Sequence, residues 1–376
     1  MLIQSQIVNQ GEGGAVVRRC VRCVMPQNYP GVSFDKAGVC SFCHYFEAHW
    51  SPWIGSVEER ARSEARLRQI FDSAKRKNKD YDALVGISGG KDSSYCLYLC
   101  KEVYGLKVLT FTKDGGFLSD DARERIEQLV KIFDVPHIYC HDPLAPELSR
   151  IFMLKTGNFC APCELSTFNL SAIVAREWDI PLLILGSSSR TEAGPPKSFN
   201  PWDPWYFRNV LKGEPYGERV RCSCYGRNYI ILEGLARILG HRRIVLLPDY
   251  VEWDDDKISE LFEQSFGLRF GEEHSDCVVS EVARYLYRRK LNGNDPRVGK
   301  YSLLIRSGKM SRGEALTKLH QAADNLRPPD LESFLRIMNM TSEQFEVARE
   351  RSPGPYLTGL PQLFNELRKH VRRQAA

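Results

Sequence analysis

DALVGISGGKDSS, running from Asp82 to Ser94, reads as a short apolar run with β character, a glycine turn and the opening of a helix. That order suits phosphate. Glycines let the backbone turn tightly and approach an anion closely. A helix N-terminus adds unpaired N–H donors and a favourable dipole. The serines at both ends of Ser88-Gly89-Gly90-Lys91-Asp92-Ser93-Ser94 add hydroxyl donors. Walker A spacing is absent. Outward from this turn, strand-like and helix-like runs alternate: LKVLTFT (106–112), DDARERIEQLVKIF (120–133), PHIYC (136–140), a helical stretch ending near Lys155, a helix through Trp178 after the FCAPC loop, PLLILG (181–186) and RIVLLP (243–248). The alternation predicts a doubly wound parallel α/β sheet with helices on both faces. Ligands of such sheets sit at the carboxyl ends of the strands.

The predicted organisation is a flexible lead over 1–16, a cysteine module plus helix over 17–78, and the nucleotide-binding α/β domain over 79–250. An irregular insertion falls at about 195–225 and a helical C-terminal region over 251–376, with a frayed tail. The 376 residues are 43% apolar, ample for a sizeable core, and carry a mild net charge of +5. The short basic clusters Arg18, Arg19, Arg22 and Arg288, Arg289, Lys290 read as solvated charges, so nucleic acid is not the expected partner. No apolar run reaches the length of about 18 residues needed for a membrane span. The opening MLIQSQIVNQGEGG lacks the pattern of a signal peptide, and a cytoplasmic enzyme is the expectation. A homo-oligomer is left open.

Twelve cysteines in a reducing compartment point to metal sites. Cys20-Val-Arg-Cys23 and Cys40-Ser-Phe-Cys43 have the spacing of a four-thiolate structural Zn²⁺ site, which leaves no open coordination position. Cys160-Ala-Pro-Cys163 is a third pair, near the expected strand ends. With a third cysteine it suits an iron–sulfur cluster with one open iron, [4Fe-4S] in kind. A second zinc and ordinary thiols are the competing readings. Cys277 is the preferred third ligand, with Cys222 and Cys224 as rivals. Cys96, Cys100 and Cys140 fall inside expected helices or strands, where buried inert cysteine is common. His274 and Asp276, beside Cys277, are candidates to orient a substrate or shuttle a proton, or form a structural pair. Glu192 is a candidate to touch the acceptor and Arg190 to neutralise charge on phosphate or sugar, and both read equally as loop surface residues.

The Ser88–Ser94 string resembles the PP-loop of ATP pyrophosphatases, which implies a fold of the adenine nucleotide α-hydrolase type. By that resemblance Ser88, Gly89, Gly90, Ser93 and Ser94 cradle the β- and γ-phosphates of ATP, and Asp92 organises the loop or a Mg²⁺. Lys91 reads equally as a phosphate contact or a solvated lysine. The nucleobase would lie near Gly86, Ile87, Phe111 and Thr112, with Gly186 as a close-approach position. Beyond the loop, CVRCVMPQNYPGVSFDKAGVCSFC (20–43), YDALVGISGGKDSSY (81–95), IPLLILGSSSRTEAG (180–194), EEHSDCVVSEVARYL (272–286) and IRSGKMSRGEAL (305–316) resemble the N-acetyl sugar amidotransferase family of bacterial surface-polysaccharide pathways. FCAPC and the segment 199–224 depart from that family's pattern.

The resemblance implies ATP-dependent adenylation of an N-acetyl group on a sugar nucleotide or glycan precursor. Ammonia from a partner glutaminase would then make an acetamidino group. The alternative is a PP-loop sulfur transferase, acting on tRNA or a small molecule, that uses an iron–sulfur cluster. A non-catalytic zinc-module protein is a third reading, which the phosphate loop disfavours.

Overall fold

The computed structural model describes residues 17–187, 204–215, 217–226, 236, 240–271, 276–321 and 327–357. The expected lead over 1–16, the charged tail, and Arg190, Glu192 and His274 lie outside the described residues. Five short strands, β1 (Ala83–Gly86), β2 (Val108–Asp114), β3 (His137–His141), β4 (Leu182–Leu185) and β5 (Arg243–Leu246), form one sheet in the order β3-β2-β1-β4-β5. Every pairing is parallel. The chain starts in the middle and winds outward twice, so the order reverses between β1 and β4. That places a crevice above their carboxyl ends.

Alternation along the strands sorts the core. Ala83, Val85, Val108, Leu182 and Ile184 face one side. There they meet α3 (Val57–Lys75), α4 (Lys91–Tyr98), α5 (Asp120–Phe133) and α10 (Asp255–Phe266) through Phe71, Leu97, Ile126 and Phe262. Leu84, Leu109, Phe111 and Leu183 face the other side and pack on Val174 and Ala175 of α7 (Cys160–Glu177). The central strands β1 and β4 are buried on both faces and read as continuous apolar runs, whereas the edge strand β3 is half exposed and carries His137 and His141.

Local signals set the helix ends. Ser119 caps α5 by accepting from Ala122 N–H, and Asp254 caps α10 by accepting from Asp256 and Lys257 N–H. The cysteine module carries α1 (Ser41–His49) and α2 (Ser51–Gly55). α6 (Ala145–Thr156) follows β3 and packs on α7.

Two expectations need correction. The insertion is not wholly irregular: Pro204–Leu211 (α8) and Gly217–Cys222 (α9) are helical. In α8 Tyr206, Phe207 and Val210 share one face and are buried with Phe152 of α6, so tertiary burial stabilises a helix too short to hold by itself. FCAPC is not a loop either. Cys160 opens α7, and Pro162 falls within its first turn, where a missing N–H breaks no helical bond.

The C-terminal helices are α11 (Ser280–Lys290), α12 (Val298–Arg306), α13 (Arg312–Gln321), α14 (Leu331–Ile337) and α15 (Ser342–Arg349). They do not form one separate core. Val298, Ala315, Leu316 and Leu319 share a cluster with the four N-terminal cysteines, whereas Val282, Phe334 and Phe345 share one with Met153 and Phe159. No helix among the described residues is long and apolar enough to cross a membrane.

Candidate active site and metal centres

The glycine loop Ser88–Ser94 closes between β1 and α4. Gly89 adopts φ +73°, and a Cβ there would lie 2.6 Å from the Ala122 carbonyl oxygen, so the loop is pressed against the first turn of α5. Arg125 holds it there by donating to Gly89 O at 2.9 Å. Gly90 caps α4 with no side-chain acceptor, which leaves the first-turn amides directed at the crevice. Ser93 Oγ accepts from Ser88 N–H at 3.1 Å and lies 3.4 Å from Ser88 Oγ, so two hydroxyls flank the turn. Ser94 differs from the expectation. It is fully buried and donates to Gly90 O at 2.8 Å, so it braces the helix instead of facing the loop's mouth.

Lys91 is neither solvated nor free. It pairs with Asp92 at 2.5 Å and with Asp255 at 2.8 Å. Asp92 also accepts from Trp253 Nε1 at 2.9 Å, while its side chain stays half exposed. Burial raises the Asp255 carboxyl, but Lys91 and Lys300 outweigh it and hold the group below the usual carboxylate range. Nothing in the local pattern of residues 82–94 announces Trp253 and Asp255; tertiary folding brings them.

Ile87, Phe111 and Thr112 are buried, so at the expected base position they offer backbone rather than side chains. Thr112 donates to Ile87 O. A Cβ on Gly86 would lie 3.1 Å from the Phe111 ring. Gly186 is a close-approach glycine, but toward protein: its Cβ would lie 3.2 Å from Cys96 Sγ and 3.3 Å from Asp92 O. Cys96 and Cys100 are buried in the core, while Cys140 on β3 is half-buried.

Cys20, Cys23, Cys40 and Cys43 are buried, and all four sulfurs lie within 4.8 Å of one another. Cys20–Cys43 is 3.9 Å and Cys23–Cys40 is 3.7 Å. A tetrahedron with metal–sulfur bonds of about 2.3 Å has edges of about 3.8 Å, so the geometry fits one Zn²⁺. The thiols cannot titrate independently. Hydrogen bonding from Cys23, Cys40 and Cys43 pushes Cys20 down, and the contact with Cys20 pushes Cys40 and Cys43 up. Arg312 of α13 reaches back to Cys23 O at 3.2 Å, tying the module to the C-terminal helices.

The second cysteine set draws on separate segments. Cys277 arrives from the C-terminal region by an antiparallel bridge to Leu118. Val278 N–H donates to Phe117 O and Ser119 N–H to Asp276 O, each at 2.9 Å, so Asp276 works here through its backbone. Burial first, then Glu164, Cys163 and Cys277, push the Cys160 thiol well above its ordinary value. Burial pushes Cys277 up to about 11, with Cys163 and Asp276 adding to it. Cys160 and Cys277 pack against one cluster with Phe117, Phe159 and Val279, and Cys163 lies in the same first turn of α7 as Cys160. As placed they do not close around a single ion. An iron–sulfur cluster spaces its thiolates more widely, and three soft, sheltered donors fit it.

Cys222 is exposed. Cys224 is sheltered and pushed up to about 12 by burial and Asp142. Tyr225, next to it, donates to Asp142 Oδ2 at 2.6 Å and pins the insertion to the end of β3. Lys113, at the carboxyl end of β2, donates to Cys163 Sγ at 2.9 Å. Its place could have been read from the alternation Leu109, Phe111, Lys113.

Residues 269–358 match the family model of the LPS biosynthesis protein WbpG-like, C-terminal domain. No curated protein matched the sequence. Among solved structures the chain is similar to NMN synthetase from Francisella tularensis, at 12% identity and a TM-score of 0.31, over 76% of this chain and 95% of that one. It is also similar to the U34-tRNA thiolase NcsA from Methanococcus maripaludis with its [4Fe-4S] cluster, at 17% identity and a TM-score of 0.34, over 84% and 93% of the two chains. Likenesses at this level carry no information on the reaction. The matched C-terminal segment is the one that brings Cys277 to the turn between β2 and α5.

Proposed function

We propose that this chain is the ATP-using subunit of an amidotransferase of surface-polysaccharide biosynthesis. One observation carries the reading: a segment matching an LPS biosynthesis domain docks beside an open helix N-terminus and glycine loop at the carboxyl edge of the sheet. The substrate would be an N-acetyl sugar on a nucleotide or glycan precursor. Its amide oxygen attacks the α-phosphorus of ATP. Pyrophosphate leaves, the amide nitrogen loses its proton, and an O-adenylated imidate forms. Ammonia from a glutaminase partner adds to the imidate carbon, AMP departs, and the acetamidino group remains.

The protein's part is positioning and charge neutralisation. The Gly89 amide, the first-turn amides of α4 and the Ser88 hydroxyl would hold the leaving pyrophosphate, while Ser93, which accepts from Ser88 N–H and donates to Gly90 O, shapes the turn. Asp92 takes a Mg²⁺ on its exposed side. Lys91, fixed by Asp255, neutralises the phosphates from the rim. Cys20, Cys23, Cys40 and Cys43 hold a structural Zn²⁺, which supplies fold stability to a segment with little core of its own.

The grouping of Cys160, Cys163 and Cys277 favours a second reading, sulfur transfer after the same adenylation. These cysteines would hold a [4Fe-4S] cluster, whose open iron supplies a binding position for sulfide or substrate. The test is pyrophosphate release from ATP by the purified chain with N-acetylated nucleotide sugars, supplying either ammonium or sulfide, with mass spectrometry of the sugar. Release that depends on sugar and ammonium, with NH replacing oxygen in the product, supports amidation. Turnover with sulfide alone, lost in Cys160→Ala, replaces it with the second reading.

A further inference from the structure

Strand alternation puts Lys113 on the same face as Leu109 and Phe111, the face covered by α7. Its neighbours on that face are core residues; Phe111 is only 4% exposed. A lysine continuing this row has to take its charge somewhere, and its Nζ goes to Cys163 Sγ in the first turn of α7, at 2.9 Å.

Gly115 supplies a second, independent observation. A Cβ there would lie 2.8 Å from both Cε and Nζ of Lys113, and 2.9 Å from Ala145 Cβ. Gly115 is not in the left-handed region, so its backbone does not require glycine. Its missing side chain is the space that the lysine head occupies. Gly115, just past β2, thus leaves room for the lysine head that meets the Cys163 sulfur.

We propose that Lys113 is a positioning residue for the second cysteine set, fixing the Cys163 sulfur and offsetting the negative charge of the thiolates around a bound iron–sulfur cluster. This rests on the cluster reading given above. Cations and hydrogen-bond donors beside cluster sulfurs favour the more negative, reduced state and hold the ligands in place. Without the lysine the cluster becomes harder to reduce and easier to lose.

The test uses the full chain, reconstituted anaerobically with ferrous iron and sulfide, as parent, Lys113→Met, Lys113→Arg and Gly115→Ala. Iron content, the rate of iron loss to a chelator, and the midpoint potential by redox titration are read in each. Lys113→Met is expected to move the midpoint to more negative potential and to release iron roughly 10-fold faster. Lys113→Arg, which keeps the charge, should restore part of both. Gly115→Ala keeps the lysine but displaces its head, so it should shift in the same direction, and it serves as the test if Lys113→Met does not fold. A parental midpoint and iron-loss rate in the folded Lys113→Met chain, or in Gly115→Ala in its place, overturn the proposal while leaving the cluster standing. A parent chain that takes up no iron beyond the Cys20 site removes the cluster reading and this proposal together.

Discussion

Gly89→Ala probes the phosphate loop at its tightest point. Gly89 has φ +73°, a conformation that costs an L residue about 1–2 kcal/mol. The new Cβ would also stand 2.6 Å from Ala122 O and 3.1 Å from Ala122 Cα. Ordinary contact needs a retreat of roughly 0.6–0.9 Å, and the atoms met belong to the helix backbone of Ala122, itself fully buried, which cannot yield cheaply. Overpacking of this kind costs about 1–3 kcal/mol, so the total is about 2–5 kcal/mol. Gly308 provides the control. Its φ is +74°, but a Cβ there meets nothing within 4 Å, so Gly308→Ala should show the backbone cost alone, about 1–2 kcal/mol. Equilibrium urea unfolding of both variants isolates the close approach as their difference. Calorimetric titration with ATP should show at least about 10-fold weaker binding for Gly89→Ala, equivalent to about 1.4 kcal/mol, and unchanged binding for Gly308→Ala. Equal destabilisation of the two variants would refute the argument that α5 sets the loop's shape.

Three further outcomes are expected. Chelating the metal of the Cys20–Cys43 module should loosen α12 and α13, because Val298, Leu316 and Leu319 share its cluster; limited proteolysis should then cut between 291 and 321 while the sheet stays protected. Asp255→Asn should destabilise by about 1 kcal/mol, discounted because its side chain is 39% exposed. The native Asp255 carboxyl is held below its unfolded value by Lys91 and Lys300 against burial, so its contribution is present above about pH 4 and disappears as pH falls through the lower folded value; the variant should lose that part of the acid dependence of stability. Burial lowers His137 to about 4, and its Nε2 is buried without a partner while Nδ1 meets Thr110 Oγ1 at 2.9 Å. The folded state therefore keeps this imidazole neutral, and stability should be full above about pH 6.5 and fall as pH drops toward 4, which NMR titration of the ring and unfolding in parent and His137→Gln can follow.

Period and punctuation made much of the fold legible. The runs ALVGIS, LKVLTFT, PHIYC, PLLILG and RIVLLP each hold most or all of one of the five strands, and DDARERIEQLVKIF is α5 from first residue to last. Such elements are encoded locally: β-branched and apolar runs between glycine or proline, or an apolar stripe behind a serine cap. Residues 204–222 were not legible, because the helical order of α8 depends on what Tyr206 and Phe207 find on α6. Local chemistry also showed the four-cysteine module and the loop Ser88–Ser94.

What the sequence alone determined, then, is the parallel sheet, the glycine loop at its carboxyl edge, and the pairs of cysteines spaced for metal. The tertiary structure decided which groups stand beside them. It turned Ser94 inward, clasped Lys91 with Asp255, gave Cys277 to Cys160 and Cys163 through a bridge to Leu118, and aimed Lys113 at a sulfur. The physical reason is range. Strand, turn and knuckle spacings are set by backbone geometry over a few residues, whereas an ion pair or thiol contact joins positions up to 164 residues apart and exists only once the core has brought its elements together.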